Sequence, residues 1–225
     1  MLTLARLHSA PEIFFSLQGE GPRLGVPAVF VRLAGCNLRC TWCDTRYSWA
    51  QGIPCDEAEV ARRIRELTAA NGANGLVITG GEPLLQQEAI ATLLTMLPAD
   101  TFVEIETNGT IAPSPALVAR VNQWNISPKL AHAGNPTAKA LRPDILATLA
   151  TLPHAWFKFV VQGESDWNDI AELSLPQQRI ILMPCATTHA ELEEQAPRIA
   201  ELCIAHGVRY GHRLHVALWS DAKGV

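Results

Sequence analysis

Apolar residues gather along the chain in short runs, and most of these runs end on polar, glycine-containing turns. Residues 26–33 (Val-Pro-Ala-Val-Phe-Val-Arg-Leu) are β-rich and mostly apolar, as a buried parallel strand should be. Arg32 interrupts this strand near its C-terminal end. Residues 76–79 form a second strand that closes in Gly80-Gly81-Glu82-Pro83, and two glycines there allow close backbone approach to a small ligand. Residues 102–106 alternate apolar and acidic positions before Thr107-Asn108-Gly109. Two acids on one strand face would ordinarily predict solvent exposure, yet this strand also closes in a polar turn. Residues 123–126, 156–161 and 179–183 read as further strands, the first followed by Ser127-Pro128-Lys129 and the second carrying Lys158 among apolar neighbours. Residues 214–219 read as a last strand-like run.

Helical periodicity lies between the strands. Val60, Ile64 and Leu67 follow Asp56 and Glu59, which predict an N-cap and a third-position acid, and Asn71-Gly72 closes the helix. Residues 191–206 form a long amphipathic helix. Upstream, residues 13–21 run from an apolar start into a turn carrying Gln18 and Glu20, which by composition alone reads as a surface hairpin. Strands alternating with helices predict a parallel sheet. Polar strand ends recurring on one side point to a TIM-type barrel. The segment 110–122 hardly holds a full helix, so the expected fold is an α/β, incomplete barrel of about six parallel strands, open on one side.

Composition changes little in this picture. At 225 residues the chain can bury a large core, and 48% hydrophobic with 18% charged residues is an ordinary globular mix. A net charge of −4 provides no basic field, so no nucleic-acid partner is expected. No apolar run approaches the roughly 20 residues of a membrane span. Arg6, His8, Pro11 and Glu12 break any signal-peptide core near the start. Six cysteines in a chain this long do not resemble a disulfide framework and fit a cytoplasmic location.

Three of those cysteines carry the chemistry. Residues 33–45 read Leu-Ala-Gly-Cys-Asn-Leu-Arg-Cys-Thr-Trp-Cys-Asp-Thr, with Cys36, Cys40 and Cys43 on one short loop. Three thiolates are too few for a closed zinc site, which takes four ligands. No His lies between His8 and His132, and the next cysteine, Cys55, lies beyond a predicted turn. Three thiolates suit a cubane [4Fe–4S] cluster with one iron left open for substrate or cofactor. The remaining alternatives are three unrelated core thiols or an electron-transfer module without turnover. Cys55, Cys185 and Cys203 read as plain thiols. His8, His132, His154, His189, His206 and His212 read as surface or structural residues.

Cys-x-x-x-Cys-x-aromatic-Cys, with Trp42 as the aromatic, resembles the signature of the radical S-adenosylmethionine (SAM) enzymes, and the Gly-Gly-Glu-Pro turn downstream strengthens the likeness. That resemblance implies a [4Fe–4S] cluster whose open iron chelates SAM, and a 5′-deoxyadenosyl radical that abstracts substrate hydrogen. More narrowly, the chain resembles the 7-carboxy-7-deazaguanine synthase family across nearly its whole length, implying a single domain over residues 1–225. The matching pieces are residues 14–21 (Phe-Phe-Ser-Leu-Gln-Gly-Glu-Gly), 30–36, 42–45, 79–83, 106–110 and 127–129. The Leu-Gln-Gly-Glu-Gly stretch discriminates, since other short radical SAM enzymes carry other N-terminal elements; the nearest alternative, a glycyl-radical activase, acts on a protein backbone glycine and would not need Arg32 as a carboxylate partner.

The family likeness implies conversion of 6-carboxy-5,6,7,8-tetrahydropterin to 7-carboxy-7-deazaguanine, with ring contraction and loss of ammonia. It implies substrate contacts at Leu17, Gln18, Gly19, Glu20 and Thr79, with Arg32 facing the substrate carboxylate, so that Glu20 and Arg32 are the catalytic candidates. It implies SAM contacts at Trp42, Cys43, Asp44, Gly81, Ser127, Pro128 and Lys129, and Mg²⁺ on the hydroxyl of Thr45. After the sixth strand the family often has Gln-Pro. Here Met183, Pro184, Cys185 and Ala186 stand there, and only backbone contacts carry over. His215 and the carboxylate of Val225 would reach the substrate, although His215 also reads as a satisfied strand-end histidine. A flavodoxin or ferredoxin as electron donor and a homodimer complete the expectation.

Overall fold

The computed structural model describes residues 1–49 and 52–225. Seven parallel strands run in sequence order across one sheet: β1 (Pro27–Leu33), β2 (Gly75–Gly80), β3 (Phe102–Thr107), β4 (Gln123–Ile126), β5 (Ala155–Val161), β6 (Ile180–Pro184) and β7 (Arg209–Tyr210). The last is only two residues long, so the expected six strands are the substantive ones. Beyond β1 the sheet continues through short antiparallel pieces, Leu2–Leu4 and Ile53–Cys55, while Ile13–Leu17 also pairs antiparallel with β1. Among the described residues no pairing joins β7 to the other edge, and the barrel stays open.

The two-residue period of each strand divides the protein into two environments. Val29, Val31 and Leu33 of β1, Leu76 and Ile78 of β2, Val103 and Ile105 of β3, and Phe157, Phe159 and Val161 of β5 pack outward. They meet Val60 and Ile64 of α1 (Glu57–Asn71), Ile90, Leu93 and Leu94 of α2 (Gln87–Thr95), Leu117 of α3 (Pro115–Arg120) and Leu146 and Leu149 of α4 (Pro143–Ala150). The intervening positions face the barrel interior. They include Arg32, Thr79, Glu104, Glu106, Asn125 and Lys158, and the register sets Arg32 beside Thr79 and Glu106 beside Asn125. The two acids of β3 therefore face the barrel interior: Glu104 is 1% exposed, and the Glu106 side chain, 22% exposed, borders the cavity inside.

Local signals account for most of the helices. Asp56 caps α1 by accepting from Ala58 N at 2.9 Å, and Gly72, at φ +66°, ends it. Glu59 does not close a capping box as expected; it pairs with Arg62 one turn on. A reciprocal capping box forms instead at Thr188 and Glu191, starting the long helix α6 (His189–His206; α5 is Glu164–Ala171) two residues before the expected point. The expected final strand is a helix, α7 (Leu214–Trp219). A six-residue run of this kind fits either structure by periodicity, and here its backbone bonds close locally as a helix. No helix among the described residues is long and apolar enough to cross a membrane.

Candidate active site

The C-terminal ends of the strands surround a cavity of about 230 Å³. Its floor comes from β-strand interior residues and its wall from the loop after β1. That loop is seated by the turn after β2. Gly81 N donates to Leu33 O (3.0 Å) and Glu82 N donates to Gly35 O (2.8 Å). A Cβ at Gly80 would stand 2.2 Å from Leu33 O, and one at Gly81 would stand 2.2 Å from Gly35 O. The close approach that the glycine pair permits is thus first to the protein's own backbone, and Gly81 still borders the cavity. The Glu82 side chain, fully buried, accepts from Leu84 N (3.0 Å), Thr107 Oγ1 (2.8 Å) and Asn108 N (2.7 Å), fixing the turns after β2 and β3 to each other. Asn108 Nδ2 in turn donates to Asn37 Oδ1 (2.9 Å) on the cysteine loop.

Cys36, Cys40 and Cys43 all line the cavity, and all are free thiols. Leu38 N donates to Cys36 Sγ at 3.4 Å and Asn135 Nδ2 to Cys40 Sγ at 3.3 Å, while the Thr45 hydroxyl lies 3.7 Å from Cys43 Sγ. Hydrogen bonds to sulfur are among the means by which proteins tune iron–sulfur clusters. Among the described residues no three His, Cys, Asp or Glu side chains gather tightly enough for a single ion; thiolates on a cubane each bind a different iron and sit further apart. The donor set fits a [4Fe–4S] cluster. Beside it, the indole Nε1 of Trp42 is buried without a protein acceptor among the described residues, and Lys129 Nζ lies 5.3 Å from the Trp42 ring and 2.7 Å from Ser127 Oγ.

Along the same cavity, charges interlock. Glu20 bonds Lys158, and Arg213 Nε donates to Glu20 Oε1 at 3.1 Å. Arg213 also bonds Asp44, and Lys158 lies 3.9 Å from Glu106. Burial raises the carboxyl pKa of Glu20, but Lys158, Arg213 and His215 outweigh it and bring it down to about 2. Burial likewise opposes ionisation of Asp44, and Arg213 and His215 overcome it, holding the group well below the ordinary range. Gln18 Nε2 donates to Glu104 (2.5 Å) and Glu106 (3.3 Å), and Thr79 Oγ1 donates to Glu106 (2.8 Å). Arg32 Nε pairs with Glu12 at 2.9 Å, and Tyr47 OH donates to the same carboxylate at 3.0 Å.

Comparison with known proteins decides what kind of site this is. The model of the radical SAM superfamily matches residues 31–129. A 7-carboxy-7-deazaguanine synthase of Thermoplasma acidophilum is 46% identical over 223 residues, covering 95% of this chain and 98% of that one. The synthase of Pyrobaculum aerophilum is 39% identical over 220 residues, covering 95% of each. The chain belongs to the 7-carboxy-7-deazaguanine synthase family. It is a radical SAM enzyme of 7-deazapurine biosynthesis, and membership brings a [4Fe–4S] cluster and SAM. The crystal structure of QueE from Escherichia coli matches with a TM-score of 0.65 at 26% identity, covering 95% of this chain and 94% of that one. SuiB of Streptococcus suis, bound to its precursor peptide, shares the fold alone, with a TM-score of 0.58 at 13% identity over 84% of this chain and 49% of that one.

Within this synthase-family cavity the structure gathers Leu17, Gln18, Gly19, Glu20, Arg32, Thr79, His215 and Val225 with Trp42, Asp44, Thr45, Gly81, Ser127 and Lys129. Pro128, Met183, Pro184, Cys185 and Ala186 do not line it. Met183 packs wholly buried against Val160 and Ile181, and Ala186 offers its carbonyl to Arg213. His215 sits at the start of α7, 3.9 Å from both Glu20 and Asp44. Sequence reading left Glu82, Glu104, Glu106, Lys158 and Arg213 without roles. For the three on β3 and β5 the signal was available, since each charged residue stands at an interior phase of an otherwise apolar alternation. Arg213 has no such signal.

Glu104 gives the site a pH signature. Burial, then the neighbouring Glu106, lifts its carboxyl from 4.5 to about 7, against the donated hydrogen bond of Gln18. A carboxyl whose folded pKa is raised contributes stability fully below about pH 4.5 and loses it as pH rises through about 7. The effect is at most about 3 kcal/mol. Glu104→Gln, which keeps an acceptor for Gln18 and Asn125, should therefore gain stability relative to the parent between pH 5 and pH 8. Denaturant melts at the two pH values test this, and parallel curves would refute it.

Proposed function

We propose that this chain converts 6-carboxy-5,6,7,8-tetrahydropterin to 7-carboxy-7-deazaguanine, with ring contraction and loss of ammonia. The observation that carries the reading is that three free thiols and the ordered set Gln18, Glu20, Arg32 and Thr79 border one cavity. Cys36, Cys40 and Cys43 would hold three irons, leaving the fourth open to SAM. The cluster and SAM together supply a hydrogen-abstracting radical. Trp42, Gly81, Ser127 and Lys129 would hold SAM; the orphaned Trp42 Nε1 offers a donor to a polar group of the bound cofactor. Thr45 would give Mg²⁺ one neutral oxygen ligand, beside the substrate and water that such an ion usually keeps.

On the substrate side, Glu12 takes the Nε of Arg32, and among the described residues the two Nη groups take no hydrogen-bond partner. They remain for the substrate carboxylate. Gln18 spends both amide protons on Glu104 and Glu106 and offers its Oε1, already accepting from Glu20 N at 3.2 Å, together with backbone groups. Six free cysteines fit a reducing cytoplasm. A flavodoxin or ferredoxin would supply the priming electron, and exposed Ile204 and Leu218 offer apolar surface to a homodimer.

Anaerobic turnover of the reconstituted protein with SAM, reductant, Mg²⁺ and the carboxypterin, read by mass spectrometry, tests the proposal. SAM cleavage without a product of the mass of 7-carboxy-7-deazaguanine would discard it. Arg32→Ala should weaken substrate binding about tenfold to hundredfold, the loss of one charge-assisted pair, with iron content intact. Combining it with Glu12→Gln avoids stranding a buried carboxylate, and unchanged substrate affinity would remove Arg32 from the site.

A further inference from the structure

We propose that Arg213 is a positioning residue that binds the Gln18–Gly19–Glu20 turn to the cysteine loop and so sets the substrate in register with SAM; this rests on the function proposed above. Each of its three guanidinium nitrogens bonds an acceptor on a different loop. Nε donates to Glu20 Oε1 at 3.1 Å, Nη2 bonds the Asp44 carboxylate, and Nη1 bonds the carbonyl of Ala186. The side chain is only 6% exposed, so these bonds operate away from solvent screening. The neighbouring residues reinforce the same clasp. Leu214 N donates to Gly19 O at 2.9 Å, and a Cβ on Gly19 would lie 2.3 Å from His215 Nδ1. Gly19 is therefore bare because the 213–215 segment lies directly upon it.

The planar fork explains why the position is an arginine. Three acceptors lie in three directions from one group, two of them carboxylates, one on the turn after Ile13–Leu17 and one on the cysteine loop. A lysine carries the charge but not the fork. The Glu20 wall faces the substrate and the Asp44 wall adjoins the last cluster cysteine, so a fixed Arg213 makes the distance between the two ligands a property of the protein. Displacing reacting groups by about 1 Å costs on the order of a hundredfold in rate. A misplaced substrate would also let SAM be spent without product.

Two readouts separate positioning from mere support of the fold. The first is the affinity for 6-carboxy-5,6,7,8-tetrahydropterin with and without SAM, measured anaerobically by calorimetry on cluster-loaded protein. The parent should bind it tighter with SAM present, and Arg213→Gln should bring that ratio to about one. The second is 5′-deoxyadenosine released per product, which should rise at least about tenfold in Arg213→Gln and less in Arg213→Lys. Arg213→Lys, which keeps the charge but not the fork, serves if Arg213→Gln does not fold. An unchanged binding ratio and an unchanged deoxyadenosine yield in these variants, however slow the turnover, would overturn the assignment. If the parent neither binds nor converts the carboxypterin, the substrate reading has failed. Hydrogen exchange, which needs no ligand, then judges Arg213 separately: residues 18–20 and 43–45 should both lose protection in the variant, and unchanged protection would refute the clasp.

Discussion

Cys40→Ala should yield a colourless protein that cleaves no SAM. Cys40 is 7% exposed and takes a hydrogen bond from Asn135 Nδ2, so its thiol is held in one place facing the cavity. Only two of the three thiols would remain, and a cubane with one open iron needs three protein ligands. No replacement is at hand. Cys185 and Cys55 do not border the cavity, and burial pushes the Cys203 thiol up to about 11, far from the thiolate a metal requires. The fold should survive, because the loop is also pinned through Gly35 O by Glu82 N and through Asn37 by Asn108. Iron and sulfide content, the visible spectrum and 5′-deoxyadenosine release are the measurements. A variant that binds a full complement of iron and still cleaves SAM would sink the cluster assignment at Cys36, Cys40 and Cys43.

The cysteine loop was legible because its chemistry is local: three ligands within eight residues, followed by turns whose glycines mark close backbone approach. The strands were legible for the same reason, since each apolar run sits between turn residues. What could not be read were contacts between distant segments. Glu20 meets Lys158, 138 residues away, and Arg213, 193 residues away. Sequence assigned Arg32 to the substrate, while geometry first gives it to Glu12, 20 residues upstream. The helix at Leu214–Trp219 was missed because a short apolar run carries no period long enough to choose between strand and helix. The burial of Glu104 was within reach. Reading β3 as one strand of a barrel, its acidic phase must face inward once its apolar phase faces the helices.

Glu82→Ala should cost more stability than any other single change in the strand-end turns. The carboxylate has no solvent exposure, and its two oxygens accept from Leu84 N, Thr107 Oγ1 and Asn108 N. Alanine leaves all three donors buried without acceptors. Each stranded donor costs about 1–3 kcal/mol, and allowing for non-additivity the total is on the order of 3–5 kcal/mol. For a chain of this length that lowers Tm by about 10 °C. Glu82→Gln should fall between the two. Its amide oxygen can stand in for Oε1, which serves Leu84 and Thr107, but its NH₂ then confronts Asn108 N, donor against donor. The consequence reaches function because Asn108 carries the side-chain bond to Asn37 on the cysteine loop. Loosening it should also weaken SAM binding. Thermal melts of parent, Gln and Ala forms before cluster loading give the order directly. An alanine variant melting within about 2 °C of the parent would mean that water or a backbone shift satisfies those donors, and that Glu82 does not hold the two turns together.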